Sequence, residues 1–169
     1  MIKKILAVFG DESFPRLGAG HLPTRRQTAA DNIISFFKTV QPELVYLVPT
    51  PGTCCYVAVV CNLLEIPYIL VSPYPGFFDT VNSKDRALIA QAVEGAKSVI
   101  IINNKRISKK KAWTEAVQFL TSVTEVVAFM YNSKGSKKYQ KFMDDYSDKY
   151  FEKKLLLELP YNDGKILLE

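Results

Sequence analysis

Short apolar runs alternate with longer helical patterns along most of this chain, and this alternation restricts the fold more than any other feature. The runs are rich in Val, Ile, Leu and Phe throughout, which is typical of strands buried on both faces. Because each run is followed by apolar residues at helical spacing, successive strands are expected to lie parallel and to be joined by right-handed crossovers. The sequence therefore predicts a doubly wound, Rossmann-like α/β fold with a mainly parallel five-stranded sheet.

The predicted elements follow one another in a regular order, separated by Pro, Gly or short polar segments. The predicted strands are Ile5–Phe9, Leu44–Val48, Tyr68–Val71, Ser98–Ile102 and Val126–Met130. The predicted helices cover residues 24–39, 53–65, 83–95, 108–122 and 136–149.

The end of the chain departs from this order. Two apolar runs, Lys153–Glu158 and Lys165–Leu168, flank Asp163-Gly164, and Asp-Gly in such a setting indicates a β-hairpin. We expect an antiparallel addition at an edge of the sheet. The chain then divides into a Rossmann-like domain over residues 1–150 and a hairpin extension over 151–169 that packs on the same domain.

Composition and charge limit the kinds of ligand and partner that this protein is expected to bind. The net charge of +5 suits an anionic ligand but is small for a dedicated nucleic-acid-binding protein. Cys54, Cys55 and Cys61 are odd in number and lie in one segment, which argues against a disulfide framework. Because the adjacent Cys54 and Cys55 do not easily offer tetrahedral spacing and His21 is the only histidine, we expect no metal site. We also expect no cofactor. No apolar run approaches the roughly 20 residues of a membrane-spanning helix, and the first is too short for a secretory signal. We expect a cytoplasmic protein without membrane contact.

Four loops follow the predicted strands and should meet at one edge, because ligands of open α/β sheets bind outside the carboxyl ends of the strands. The fourth loop, residues 132–136, contains Gly135 and opens a predicted helix. The first N–H groups of a helix have no intrahelical partner, and the helix dipole favours negative charge there. We predict a phosphate site formed by Asn132, Lys134, Gly135 and Ser136; the alternative is an ordinary strand-to-helix turn.

The other loops add candidates of three kinds. Gly52 and Thr53 open the second predicted helix and could offer backbone N–H groups and a hydroxyl to a phosphate, or could only fix the entry of that helix. Tyr74 and Phe77 could stack on a base, or could simply pack. The carboxylates are Asp11, Glu12 and Asp79, which could bind a ribose hydroxyl or act as a general base, or remain solvated.

A run of basic residues lies apart from these loops. Residues 105–111 read Lys-Arg-Ile-Ser-Lys-Lys-Lys. Such a run is typical of a solvated face, and binding of nucleic acid is the alternative.

Three passages carry a family resemblance. KILAVFGDE ends its strand on Gly10, LEIPYILVSPYPG joins Ile-Pro to a strand and a Pro-aromatic-Pro segment, and VVAFMYNSKGSKKYQKFM ends its strand in a Gly135-Ser136 loop. In this order they resemble the YspA/YpsA-like branch of the SLOG superfamily, the Rossmann-like group that also includes the LOG and DprA/Smf proteins. The resemblance covers about residues 4–146.

The chain also departs from the pattern of that group. Asp11-Glu12 replace a His-Arg pair after Gly10, and Asn132-Ser133 replace an Asp-Gly pair. The LOG phosphoribohydrolase signature Pro-Gly-Gly-x-Gly-Thr-x-x-Glu is reduced to Pro51-Gly52-Thr53, and Cys54 stands where the branch has an acidic residue. The resemblance therefore implies a nucleotide-type ligand more than it implies catalysis, and it makes Gly10 a further ligand-binding candidate.

Three functions from different classes follow. The first is a sensor or sequestering protein for a nucleotide-derived small molecule such as ADP-ribose, NAD or a cyclic nucleotide. The resemblance implies that such a protein could act in stress or in phage–host conflict. The second is an N-glycosidic, phosphoribohydrolase-like hydrolase in which Asp11, Glu12 or Asp79 activates water, so whether the protein is an enzyme stays open. The third is DprA-like DNA binding through the basic run. SLOG-type proteins often pair, which makes a homo-oligomer a further expectation.

Overall fold

Seven strands form a single sheet in the part of the chain that the computed structural model describes. The described residues are 4–10, 22–48, 53–77, 86–124, 126–131, 141, 144–145, 153–158 and 165–167. The strands are β1 (Ile5–Gly10), β2 (Leu44–Leu47), β3 (Tyr68–Ser72), β4 (Ser98–Ile101), β5 (Val126–Tyr131), β6 (Lys153–Glu158) and β7 (Lys165–Leu167). The long described helices are α1 (Leu22–Val40), α2 (Thr53–Leu63), α3 (Arg86–Gly95) and α4 (Lys109–Val123).

The strand order is β4-β3-β2-β1-β5-β6-β7, and it reverses direction beside β1. The chain steps outward from β1 to β4, then returns with β5 to the free side of β1. Strands β1 to β6 are parallel to one another, and β7 alone runs antiparallel, to β6. This is the doubly wound, mainly parallel Rossmann-like fold predicted from the sequence, which is confirmed.

The two faces of the sheet are covered by different helices. On one face α1, α2 and α3 bury side chains such as Phe36, Val57 and Ala92 against Leu6, Val8 and their neighbours. On the other face α4 buries Ala116, Val117 and Leu120 against Ala7, Phe9 and their neighbours. The reversal of strand order requires this division, because a right-handed crossover that runs back across the sheet must use the opposite face.

The C-terminal strands correct one expectation. The hairpin was expected to add to the sheet in an antiparallel manner, but β6 runs parallel to β5 from Val126↔Lys153 to Tyr131↔Glu158, and only β7 is antiparallel. Parallel neighbours need a crossover. The segment between β5 and β6 was predicted to contain a helix over 136–149; its described residues Lys141, Asp144 and Asp145 are helical, and the rest of that range lies outside the described residues.

The ends of several elements differ slightly from their predicted ends. β1 and β3 each extend one residue further, to Gly10 and Ser72, and α2 ends at Leu63 rather than at residue 65. Glu65 has a φ of 56°, and the N–H of Ile66 donates to the carbonyl of Cys61 at 2.9 Å. This left-handed C-terminal turn satisfies a carbonyl that the helix would leave unpaired and ends α2 before the predicted position.

A polar network at the amino ends of the strands joins two helices to the sheet. The Tyr68 hydroxyl donates to the Ala92 carbonyl at 2.6 Å and accepts from Asn62 Nδ2 at 3.2 Å. A Cβ on Gly95 would lie 2.7 Å from that hydroxyl, so the end of α3 packs directly on the network. Burial raises the pKa of Tyr68, the hydrogen bond from Asn62 lowers it, and the nearby Cys61 raises it.

The buried thiol of Cys61 makes the free energy of unfolding sensitive to alkaline pH. Burial raises the pKa of the Cys61 thiol from an ordinary 9.0 to about 12. Above pH 9 the unfolded chain releases this proton while the folded chain keeps it, so the stabilisation is complete below the unfolded pKa and is lost as pH rises toward the folded pKa.

We therefore expect Cys61→Ala to flatten the alkaline decline of the free energy of unfolding by about 1 kcal/mol per pH unit above about pH 9. Urea unfolding across this pH range measures how the free energy of unfolding of the parent and of the variant changes with pH. Comparing these two slopes eliminates the destabilisation caused by the smaller side chain, because that destabilisation does not depend on pH. Tyr68 contributes a decline of the same sign, so the variant should keep part of it. Equal slopes would show that Cys61 ionises as easily in the folded chain as in the unfolded one.

Candidate functional site

The candidate site lies at the carboxyl ends of β1 and β5, where the strand order reverses. These strands are paired through Phe9↔Phe129 and Gly10↔Met130, so the loops that follow them leave the sheet side by side. Crossovers on opposite faces draw the helices apart at such a point and open a crevice, which is where open α/β sheets bind ligands. The segment from Gly10 to Leu22, long for a strand-to-helix loop, leaves the sheet here.

The sequence-predicted residues divide into two groups. Gly10, Thr53, Tyr74 and Phe77 are described, and all belong to the carboxyl edge of the sheet. The strands that precede the Gly52 and Gly135 loops, β2 and β5, end at this same edge on either side of β1. The remaining candidates lie outside the described residues: Asp11, Glu12, Gly52, Asp79, Asn132, Lys134, Gly135 and Ser136.

The last residue of β1 packs directly on the first residue of α2. A Cβ on Gly10 would lie 2.6 Å from Thr53 Cβ, 2.9 Å from Thr53 Cγ2 and 3.1 Å from the Cys54 backbone nitrogen. Real Cβ atoms do not approach this closely, so only glycine lets the helix start against the strand. Two candidates read from separate loops, Gly10 and Thr53, are thus in contact.

Thr53 is completely buried, with no exposed surface. The next three residues of α2, Cys54, Cys55 and Tyr56, are also buried. In this conformation the Thr53 side chain holds α2 against β1, and its predicted role as a phosphate ligand stays a prediction.

The loop after β3 is held by its own backbone and rings. Tyr74 is only 7% exposed, and its ring meets that of Phe77 edge-on at 5.5 Å. Its carbonyl accepts from Ser72 Oγ at 2.8 Å and from the Phe77 N–H at 3.3 Å. Phe77 keeps part of its surface exposed. Of the two aromatics predicted to stack on a base, Phe77 is therefore the one that offers a surface.

Asn103, two residues beyond the end of β4, ties this loop to α4. Its backbone N–H and its Nδ2 both donate to the Pro73 carbonyl, at 3.1 and 2.9 Å, and Nδ2 also donates to Glu115 Oε2. An amide bound at three points fixes the position of the loop relative to the helix. Sequence reasoning did not single out Asn103, because its partners are distant in the chain.

At the carboxyl edge of the sheet, aromatic rings lie on the face that α4 covers. Phe9 stacks on Phe129 with ring centroids 5.7 Å apart and an interplanar angle of 19°, and Trp113 packs on Phe9 at 6.3 Å. Trp113 is half-buried, whereas Phe9 and Phe129 are buried. Sequence reasoning missed Trp113; the signal was the only tryptophan of the chain, close behind the basic run.

The basic run is exposed and adjoins this edge. Ser108 caps α4 by accepting from the Lys111 N–H, and the side chains of Lys105, Arg106, Lys109, Lys110 and Lys111 are all exposed. Among the described residues, no group of three or more His, Cys, Asp or Glu could hold a metal ion. None of the described helices has the length and apolarity needed to cross a membrane.

Comparisons with known proteins give only distant structural likenesses. No family model and no curated protein matches the chain. A structural-genomics protein from Lactobacillus plantarum matches with a TM-score of 0.39 and 13% identity, over 91% of this chain and 61% of that one. A structure of MnaA from S. aureus with UDP matches with a TM-score of 0.41 and 12% identity, over 96% and 63%. The chain thus spans less than two thirds of each of these structures.

The contact between Gly10 and Thr53 makes a stability prediction. Gly10→Ala should lower the free energy of unfolding by about 1–3 kcal/mol, because the added methyl group forces α2 away from β1. Thr53→Gly removes both side-chain atoms that the methyl group would meet. In a double-mutant cycle measured by urea unfolding, the two changes should together cost less than their sum by about 0.5–3 kcal/mol. Strict additivity would contradict the contact.

Proposed function

We propose that this protein binds a nucleotide-derived small molecule in the crevice beside β1, acting as a sensor or a sequestering protein. The observation that carries the proposal is the reversal of strand order at β1, whose last residue, Gly10, packs on the start of α2. The loops after β1, β2 and β5 all begin at this edge of the sheet. The point where strand order reverses is the usual ligand site of an open α/β sheet.

The sequences of those loops favour a phosphorylated ligand. The loop after β5 carries Lys134, Gly135 and Ser136 ahead of a predicted helix, which suits a phosphate group. The loop after β1 begins with Asp11 and Glu12, whose carboxylates suit ribose hydroxyls. Gly10 and Gly135-Ser136 at these loops also belong to the passages that resemble the YspA/YpsA-like branch of the SLOG superfamily, although Asp11 and Glu12 depart from its pattern. The proposal therefore covers ligands such as ADP-ribose, NAD or a cyclic nucleotide.

Binding without turnover distinguishes this function from the hydrolase. Incubation with ADP-ribose, NAD, AMP or cyclic AMP should raise the melting temperature for at least one of these ligands. At 100 times its dissociation constant, a ligand stabilises the fold by about 2.7 kcal/mol, which a melting scan resolves. Release of free base that disappears in Asp11→Asn or Asp79→Asn would instead make the protein an N-glycosidic hydrolase. Failure of all four ligands to raise the melting temperature would contradict the proposal.

Within this proposal Gly135 should matter more for binding than for folding. Gly135→Val puts a branched side chain where the phosphate would approach, and each charge-assisted bond lost should cost about 1.5–3 kcal/mol of binding free energy. Lys134→Ala is the control, because it removes a charge and leaves the backbone unchanged. Calorimetric titration of both variants, alongside their melting temperatures, makes the comparison. A folded Gly135→Val that binds like the parent would show that this loop is only a turn.

A further inference from the structure

We infer that Trp113 forms the base-binding wall of the crevice beside β1, so that the ligand stacks its aromatic base on the indole of α4. This inference rests on the proposed function and deepens it, because it assigns a residue to the part of the ligand that distinguishes a nucleotide from a simple sugar phosphate. Neither Trp113 nor any other residue of α4 was among the candidates read from the loops.

The position of Trp113 follows from two neighbouring strands. Phe9 and Phe129 are register partners in β1 and β5, the strands between which the order reverses. Trp113 packs on Phe9 from the α4 side, one residue short of the end of β1. The indole is therefore fixed at the crevice, on the face opposite the Gly10–Thr53 contact.

The exposed fractions of these rings distinguish the side chains that support the indole from the side chain that a ligand can contact. Phe9 is 2% exposed and Phe129 is 0% exposed, so Phe9 supports the indole and Phe129 supports Phe9 from within the core. Trp113 and Phe77 pack against the same cluster and keep part of their surfaces exposed. A half-buried indole on a rigid aromatic support can stack on a base at little further entropic cost.

The charge beside the indole suits the rest of a nucleotide. Lys109 and Lys110 precede Trp113 by four and three residues on α4, which places them on the same side of the helix, and both are exposed. An aromatic face next to cationic groups matches a ligand that has a flat base and an anionic phosphate.

The test compares probes that differ only in the base. AMP and UMP carry a base on ribose 5-phosphate, and the third probe is ribose 5-phosphate itself. Calorimetric titration should show that Trp113→Leu weakens the mononucleotide that the parent binds by about tenfold, since base stacking on an aromatic residue is typically worth that much or more. Ribose 5-phosphate should bind the parent and the variant equally. Trp113→Phe, which keeps an aromatic face, should stay close to the parent.

Two features of the chain keep this test decisive. Phe119→Leu is the matched control, because Phe119 is an aromatic of the same helix that packs on Tyr46 rather than at the crevice; it should leave all affinities unchanged. Trp113 is the only tryptophan, so the emission of the unaltered protein reports on it directly. If Trp113→Leu does not fold, quenching of that emission by a mononucleotide but not by ribose 5-phosphate is the expected result, and equal quenching would overturn the inference.

The remaining outcomes separate the inference from the proposed function. A mononucleotide that binds the parent and Trp113→Leu equally overturns the stacking role and leaves the proposed function standing. If Trp113→Leu weakens the binding of ribose 5-phosphate as much as the binding of the mononucleotide, Trp113 acts only through packing, and the inference is overturned. If the parent binds neither mononucleotide, the inference fails, and the proposed function fails with it only if ADP-ribose, NAD and cyclic AMP also leave the melting temperature unchanged. Tighter, steeply salt-dependent binding of oligothymidylate than of mononucleotides would assign the surface to single-stranded DNA instead.

Discussion

The contact between Gly10 and Thr53 is the constraint on which the carboxyl edge of the sheet depends. It places the Thr53 side chain, at the start of α2, directly on the last residue of β1, which has no side chain of its own. β1 is also the strand at which the order of the sheet reverses. Gly10 therefore sets the packing of one helix and lies on the strand at which the order reverses, so we expect a small change there to bear on both stability and the proposed site.

The two sides of this point differ in chemistry. On the α2 side lie a helix start and the glycine contact, and on the α4 side lies a stack of rings from Phe9 to Trp113. Exposed lysines adjoin the rings at the start of α4. An aromatic surface beside exposed cationic groups suits a ligand that has a flat base and a phosphate, which is why we propose a nucleotide-derived ligand.

The sequence predicts the fold well because its signal is local. Each buried strand and each amphipathic helix is apparent in a short window, and all five predicted strands of the alternating region are present, with ends shifted by a residue at most. The direction of β6 is not local, because it depends on where the chain returns after β5. Asp-Gly indicates the hairpin between β6 and β7 but does not specify which strand pairs with β5.

The site is less accessible to sequence reasoning because its residues come together only through the topology. Gly10 and Thr53 were read from different loops, and their contact follows from the pairing of β1 with β2 and the crossover through α2. Tyr74, predicted from its loop to stack on a base, is buried and packs edge-on against Phe77. Trp113 was missed because nothing near it in the sequence shows that α4 crosses the sheet above Phe9.

The proposed site is tested most directly by mapping where on the protein a nucleotide binds. Amide and indole chemical shifts of the labelled protein, recorded during titration with AMP or ADP-ribose, report this residue by residue. We expect the largest changes at Gly10 and at the indole N–H of Trp113, with little change at Tyr68 and Gly95 at the opposite edge of the sheet. Saturable binding with its largest changes at Tyr68 and Gly95, and none at Gly10 or Trp113, would contradict this expectation.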